Sequence, residues 1–171
     1  MAHASTLTPI PCQPQGMRLA AATTTAALLV ASCSGSGSSS CADVVFEDLH
    51  PQSAVHVIAD EGIEYLTDPP TSGPHASSQV PGPGVVLPLP PSVQVAVLES
   101  GGVVLQFQPD AVSEAQLREL DDTELVVFEN TDLTDPIVVT AWRQKLVCSA
   151  FDADEIRGFR ADHGGDGVPH G

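Results

Sequence analysis

Residues 68–75, Asp-Pro-Pro-Thr-Ser-Gly-Pro-His, constrain the fold more than any other stretch of the chain. Proline lacks the amide donor and fixes its own φ, so a run this rich in proline cannot continue a helix or lie in a central strand. Pro69, Pro70, Thr71, Ser72, Gly73 and Pro74 therefore form a shaped loop. That loop ends on one imidazole, His75, and regular elements have to be placed on either side of it.

Before the loop, Ala42 to Glu47 reads as a short edge strand, and Val55 to Ile58 as a second strand built around His56. After it, the proline spacing from Val80 to Pro91 favours extended, polyproline-like chain lying over the surface. Ser92 to Leu98 alternates, with Val93, Val95 and Val97 on one side. With Glu99 to Gly102 as a glycine-containing turn and Val103 to Phe107 as the next strand, a hairpin is expected. Ser113 and Gln116 form a capping box, Val112 is placed to staple onto Leu117, and the helix they start runs to about Leu120. Leu125 to Phe128 and Ile137 to Trp142 read as strands. Asp152 to Glu155 caps a second helix, stapled by Phe151 and Ile156 and stopped at Gly164-Gly165. The strand–helix–strand order implies a right-handed parallel crossover from 103–107 to 125–128. The strand at 137 is expected antiparallel to its predecessor. The expected class is α+β: one mixed, largely antiparallel sheet with two helices mainly on one face. A thioredoxin-like arrangement without its Cys-x-x-Cys is the second choice.

Residues 1–32 contain no acid. Met17-Arg18, then an apolar run and small residues before Cys33, follow the plan of an export signal, and Met17 is an alternative start. Val30-Ala31-Ser32-Cys33 is similar to a bacterial lipobox, which makes Cys33 the expected lipidation site. Ser34 to Ser40 is a flexible Gly/Ser tether. The expected organisation is a leader over 1–32, lipidated cysteine and tether over 33–40, one domain over 41–165, and a loose tail over 166–171. The expected location is the outer face of the cell membrane, held by the lipid. Export places Cys41 and Cys148 in an oxidising compartment, where a disulfide is the expected state.

From Cys33 onward, five basic residues face 22 acidic ones. That sign opposes phosphate backbones, so nucleic acid is excluded as a partner. It also opposes docking on anionic lipid through a basic patch, so membrane attachment falls to the acyl chain. The sequence names no protein partner.

Tyr65 with Pro69 to His75, then Leu98-Glu99-x-Gly101-Gly102-Val103-Val104, then Thr140-Ala141-Trp142, resemble a bacterial family of exported or membrane-attached proteins, domain of unknown function 3105. The resemblance covers roughly residues 41–170 and carries no established activity. It implies histidine at positions 56 and 75, which this chain keeps. It also implies histidine at two positions around Leu98-Glu99, where this chain has Ala96 and Ser100. Two such histidines four apart would share one face of a helical turn, whereas on a strand they would stand roughly 13 Å apart.

His75 has two readings: a ligand or general base facing Glu99, or a hydrogen-bonded part of its own loop. His56 among valines reads as a semi-buried, satisfied histidine. Glu99 is either a ligand or an acceptor of turn amides. His75, Glu99 and His56 are the candidate metal set, with copper or zinc the ions such donors suit. No Gly-x-Ser-x-Gly elbow or phosphate-binding glycine loop is present, and no residue is assigned a catalytic role. The expected function is a lipid-anchored extracytoplasmic binding module. The alternative is a metal-binding protein with a weakened His/Glu site.

Overall fold

The computed structural model describes residues 39–77 and 80–165. The leader with Met17, Cys33, the tether up to residue 38 and the tail from residue 166 lie outside the described residues. The fold is α+β. Its elements are β1 (Val45–Phe46), β2 (His56–Val57), β3 (His75–Ala76), β4 (Gly84–Val85), α1 (Pro91–Glu99), β5 (Val104–Phe107), α2 (Glu114–Glu119), β6 (Val126–Glu129), β7 (Ile137–Ala141), β8 (Gln144–Cys148) and α3 (Ala153–His163). Six strands form a mixed sheet in the order β1-β8-β7-β5-β6-β4, and β2 pairs with β3 in a second, two-stranded sheet.

The crossover through α2 is parallel, with Val104 opposite Val126 and Leu105 opposite Val127. β7 runs antiparallel, but it pairs with β5 and not with its predecessor β6. β6 already has β5 on one side and β4 on the other. The loop between β6 and β7 returns across the end of β5, where Asn130 N donates to Phe107 O and Gln108 N to Pro136 O. β1 closes one end of the sheet against β8, as an edge strand should. The Cys41–Cys148 disulfide ties the start of the domain to β8.

Strand alternation sorts the side chains onto two faces. Val103, Leu105, Leu125, Val127, Ile137, Val139 and Leu146 face one cluster, which Val112, Leu117 and Leu120 cover from the α2 side and Ile156 and Phe159 from α3. The two expected helices therefore share a face. Ser113 caps α2 with the full capping box, and Asp152 caps α3 by accepting from Glu155 N. Val104, Val126 and Phe128 face the other way, against Val97 and Leu98 of α1, with Trp142 packed alongside.

α1 corrects the expected hairpin. Residues 92–98 are helical, so the domain has three helices among its described residues and the third lies on the opposite face. The alternation at Val93, Val95 and Val97 is only part of the pattern: Gln94, Val95, Ala96, Val97 and Leu98 are all buried. A helix wedged between the sheet and the 69–75 loop hides more than one side, so its apolar residues lose the 3.6-residue period. The ends carried the better signal. Pro91 opens the helix, where its missing amide is no loss. Gly101 follows the end at φ 87°, its amide donating to Leu98 O while Gly102 N donates to Val97 O. That is a Schellman motif, and the glycines stop a helix where a hairpin turn was expected.

Candidate functional site

The 69–75 loop is buried from end to end. Its polar groups are met one by one, as burial of backbone and hydroxyl groups requires. Thr71 Oγ1 donates to Glu47 Oε2 at 2.6 Å, and Thr67 Oγ1 donates to the same oxygen. The other Glu47 oxygen lies 2.8 Å from Lys145 Nζ on β8. Burial by itself would raise the Glu47 carboxyl. Lys145 and the two hydroxyls outweigh it and hold the group below the ordinary glutamate range. Thr71 O accepts from Arg143 N in the β7–β8 turn. Ser72 Oγ accepts from His50 N, and the Tyr65 hydroxyl donates to Pro74 O at 2.9 Å. Burial, with Asp60 nearby, pushes that hydroxyl up to about 12. Gly73 sits at φ 143°, and a Cβ there would come within 2.8 Å of the Tyr65 ring, so no larger residue fits.

The loop hands its last residue to β3, and β3 pairs in parallel with β2 so that His75 stands opposite His56. The two rings meet edge to face at 4.6 Å between centroids. Glu99 comes from the last turn of α1, which packs across β3. α1 is held by a buried side-chain relay: Asn130 Nδ2 donates to Gln106 Oε1, Gln106 Nε2 to Gln94 Oε1, and Gln94 Nε2 to Leu89 O. The His56 segment also reaches α1, since Asp60 Oδ1 accepts from Ser92 N in the first helical turn.

His56, His75 and Glu99 bring one ligand atom each to within 4.8 Å of one another. His75 is 1% exposed, the Glu99 side chain 13%, and His56 lies at the surface. His75 Nδ1 is 3.2 Å from Gly73 O. A carbonyl only accepts, so Nδ1 carries the hydrogen and Nε2 turns to Glu99. Nε2 lies 2.6 Å from Glu99 Oε2, yet it is buried without an aligned hydrogen bond. The short approach and the missing hydrogen bond are compatible: the oxygen is close to Nε2 but not aligned with it for a hydrogen bond. A carboxylate that close to an imidazole nitrogen makes the pair a place that attracts positive charge. The carboxylate at the negative end of α1 adds to the attraction for positive charge. Ligands around one Zn or Cu ion stand about 3 Å apart, so admitting one would take Glu99 moving back from His75 and His56 drawing in.

The geometry required by each reading of His75 is present: one ring nitrogen ties the loop to a backbone carbonyl, and the other faces Glu99. His56 departs from the expected semi-buried, satisfied residue. It is exposed on a two-residue strand, whereas His75 on the paired β3 is covered by α1. Position 100 is exposed and position 96 buried, one turn apart on α1, so the helical spacing applies to them rather than the strand spacing. Neither residue brings a ligand; Ser100 Oγ donates to Val97 O. His50 was not singled out by the sequence. It is buried, with Nδ1 accepting from Gln52 N and Nε2 donating to Glu64 O, and it serves the loop's framework. The Glu47–Lys145 pair was also not legible, because its partners are 98 positions apart in the chain.

A family model described as protein of unknown function (DUF3105) matches residues 56–170, well over half of the chain. No curated protein and no solved structure matches.

Proposed function

Because the chain belongs to the DUF3105 family, which brings no activity with it, we propose a function from the site itself: an exported, lipid-anchored module that binds a divalent transition-metal ion. His75, Glu99 and His56 are the ligands. The observation that carries this reading is the buried His75 Nε2, fixed by the Nδ1 contact to Gly73 O and placed 2.6 Å from Glu99 Oε2 without an aligned hydrogen bond. Backbone-anchored imidazole with its other nitrogen free toward a carboxylate is how proteins prepare a histidine ligand. Two imidazoles and one carboxylate suit copper or zinc.

Export and anchoring are supported by the leader, by the lipobox ending at Cys33 and by the Gly/Ser tether. The Cys41–Cys148 disulfide is compatible with an oxidising compartment. An acyl chain on Cys33 would supply the membrane affinity that this acidic chain cannot supply by charge.

Calorimetric titration of protein purified without a histidine tag, with Cu(II) and with Zn(II), tests the site. The expected result is one equivalent of tight binding, lost in His75→Ala and weakened at least tenfold in Glu99→Gln. Protein that takes up neither ion, or a His75→Ala variant that binds as well as the parent, would refute the metal reading. For the anchor, radiolabelled palmitate should enter the parent and not Cys33→Ala; label persisting in that variant would place the lipid elsewhere or nowhere.

A further inference from the structure

We propose that the metal ion held by His56, His75 and Glu99 keeps at least one coordination position open toward solvent, where it takes a small exogenous donor. This rests on the metal reading above and concerns how the site is completed. First-row divalent ions take four or more ligands. Among the described residues the cluster offers three, with no fourth histidine, cysteine or carboxylate joining it.

The burial of the three ligands gives the open side its direction. His75 lies at the bottom at 1% exposure, Glu99 forms the wall, and His56 stands at the surface. An ion among them is enclosed from the β3 and α1 side and faces water beside His56. Positions 96 and 100, one turn apart around Glu99, do not close it: Ala96 has no donor atom, and the Ser100 hydroxyl is turned back onto Val97 O. The buried ligand cannot swing to fill more of the sphere, because its ring is tied at Nδ1 to Gly73 O and stacked edge-on with His56. Structural zinc sites are closed by four protein ligands, whereas three ligands plus water mark a site that exchanges or polarises what it binds. Water is the default occupant. The donors that displace it are small anions of the carboxylate or azide class, whose bond to the ion has to outweigh repulsion from the acidic surface.

Cobalt(II) is the probe, because its visible bands report coordination number and ligand exchange. The intact chain is loaded with Co(II) and titrated with sodium azide. The expected result is a saturable change in the Co(II) bands that reverses on removing azide. Co(II) spectra that are present but unmoved by azide would overturn the open position and leave the metal reading standing. If Co(II), Cu(II) and Zn(II) all fail to bind, the metal reading falls and this inference with it.

Discussion

The two faces of the six-stranded sheet are built on different principles. Beneath α2 and α3 the contacts are hydrocarbon: strand residues alternate inward and meet two capped, stapled helices. On the α1 side a smaller apolar cluster shares the space with buried polar groups, the Gln94–Gln106–Asn130 relay, and beyond α1 the 69–75 loop and the His75–Glu99 pair. The first face stabilises the domain, since apolar burial is non-directional and tolerant of detail. The second fixes positions, since each buried polar atom demands one partner in one place. A site that must hold ligand atoms within a few ångströms belongs on the second.

Variants on the two faces should separate stability from metal affinity. The largest loss of stability is expected at the covalent tie that serves both: Cys148→Ser opens a cross-link between residues 107 apart, costing about 4–5 kcal/mol in urea unfolding. Next, Ile156→Ala on the hydrocarbon face removes a side chain with no exposed surface and should cost about 2–5 kcal/mol while leaving metal affinity of the folded protein unchanged. Gln106→Leu should cost less, about 1–3 kcal/mol, because it strands Gln94 and Asn130 without opening a cavity. It should nevertheless weaken metal binding more than Ile156→Ala does, since α1 carries Glu99. Equal effects of the two on affinity would break the division drawn here.

The loop side should also respond to acid. Glu47 titrates below its unfolded value, so its contribution to stability is complete above about 4.3 and is lost as pH falls through the lower folded value. Glu47→Gln should therefore flatten the fall in urea midpoint over that acid range, and an unchanged slope would remove Glu47 from the account. The smallest effect is expected at the α2 cap, where Ser113→Ala should cost about 1 kcal/mol and leave both metal affinity and acid response as they are.

Local signals were legible wherever neighbours in sequence are neighbours in space. The capping residues of α2 and α3, the parallel crossover and the edge strand β1 all follow from adjacent residues. The valines of α1 alternate by two and point to a strand, although Pro91 and Gly101 mark a helix at both ends. β8 is not legible in the sequence, because Gln144 and Lys145 open it and leave only three apolar residues, so pairing with β7 and β1 is what makes it a strand.

The sequence by itself determined that residues 68–75 form a rigid loop ending on an imidazole, that His56 and Glu99 were the residues to watch, and that Cys41 and Cys148 were the pair available for a disulfide. Tertiary structure alone decided that the three candidate residues meet. His56 and His75 reach each other through a parallel pairing of two-residue strands, and Glu99 reaches them from the end of a helix held by a glutamine relay. Those contacts join residues 19 to 43 positions apart, and no local propensity encodes a distance between side chains that only packing brings together.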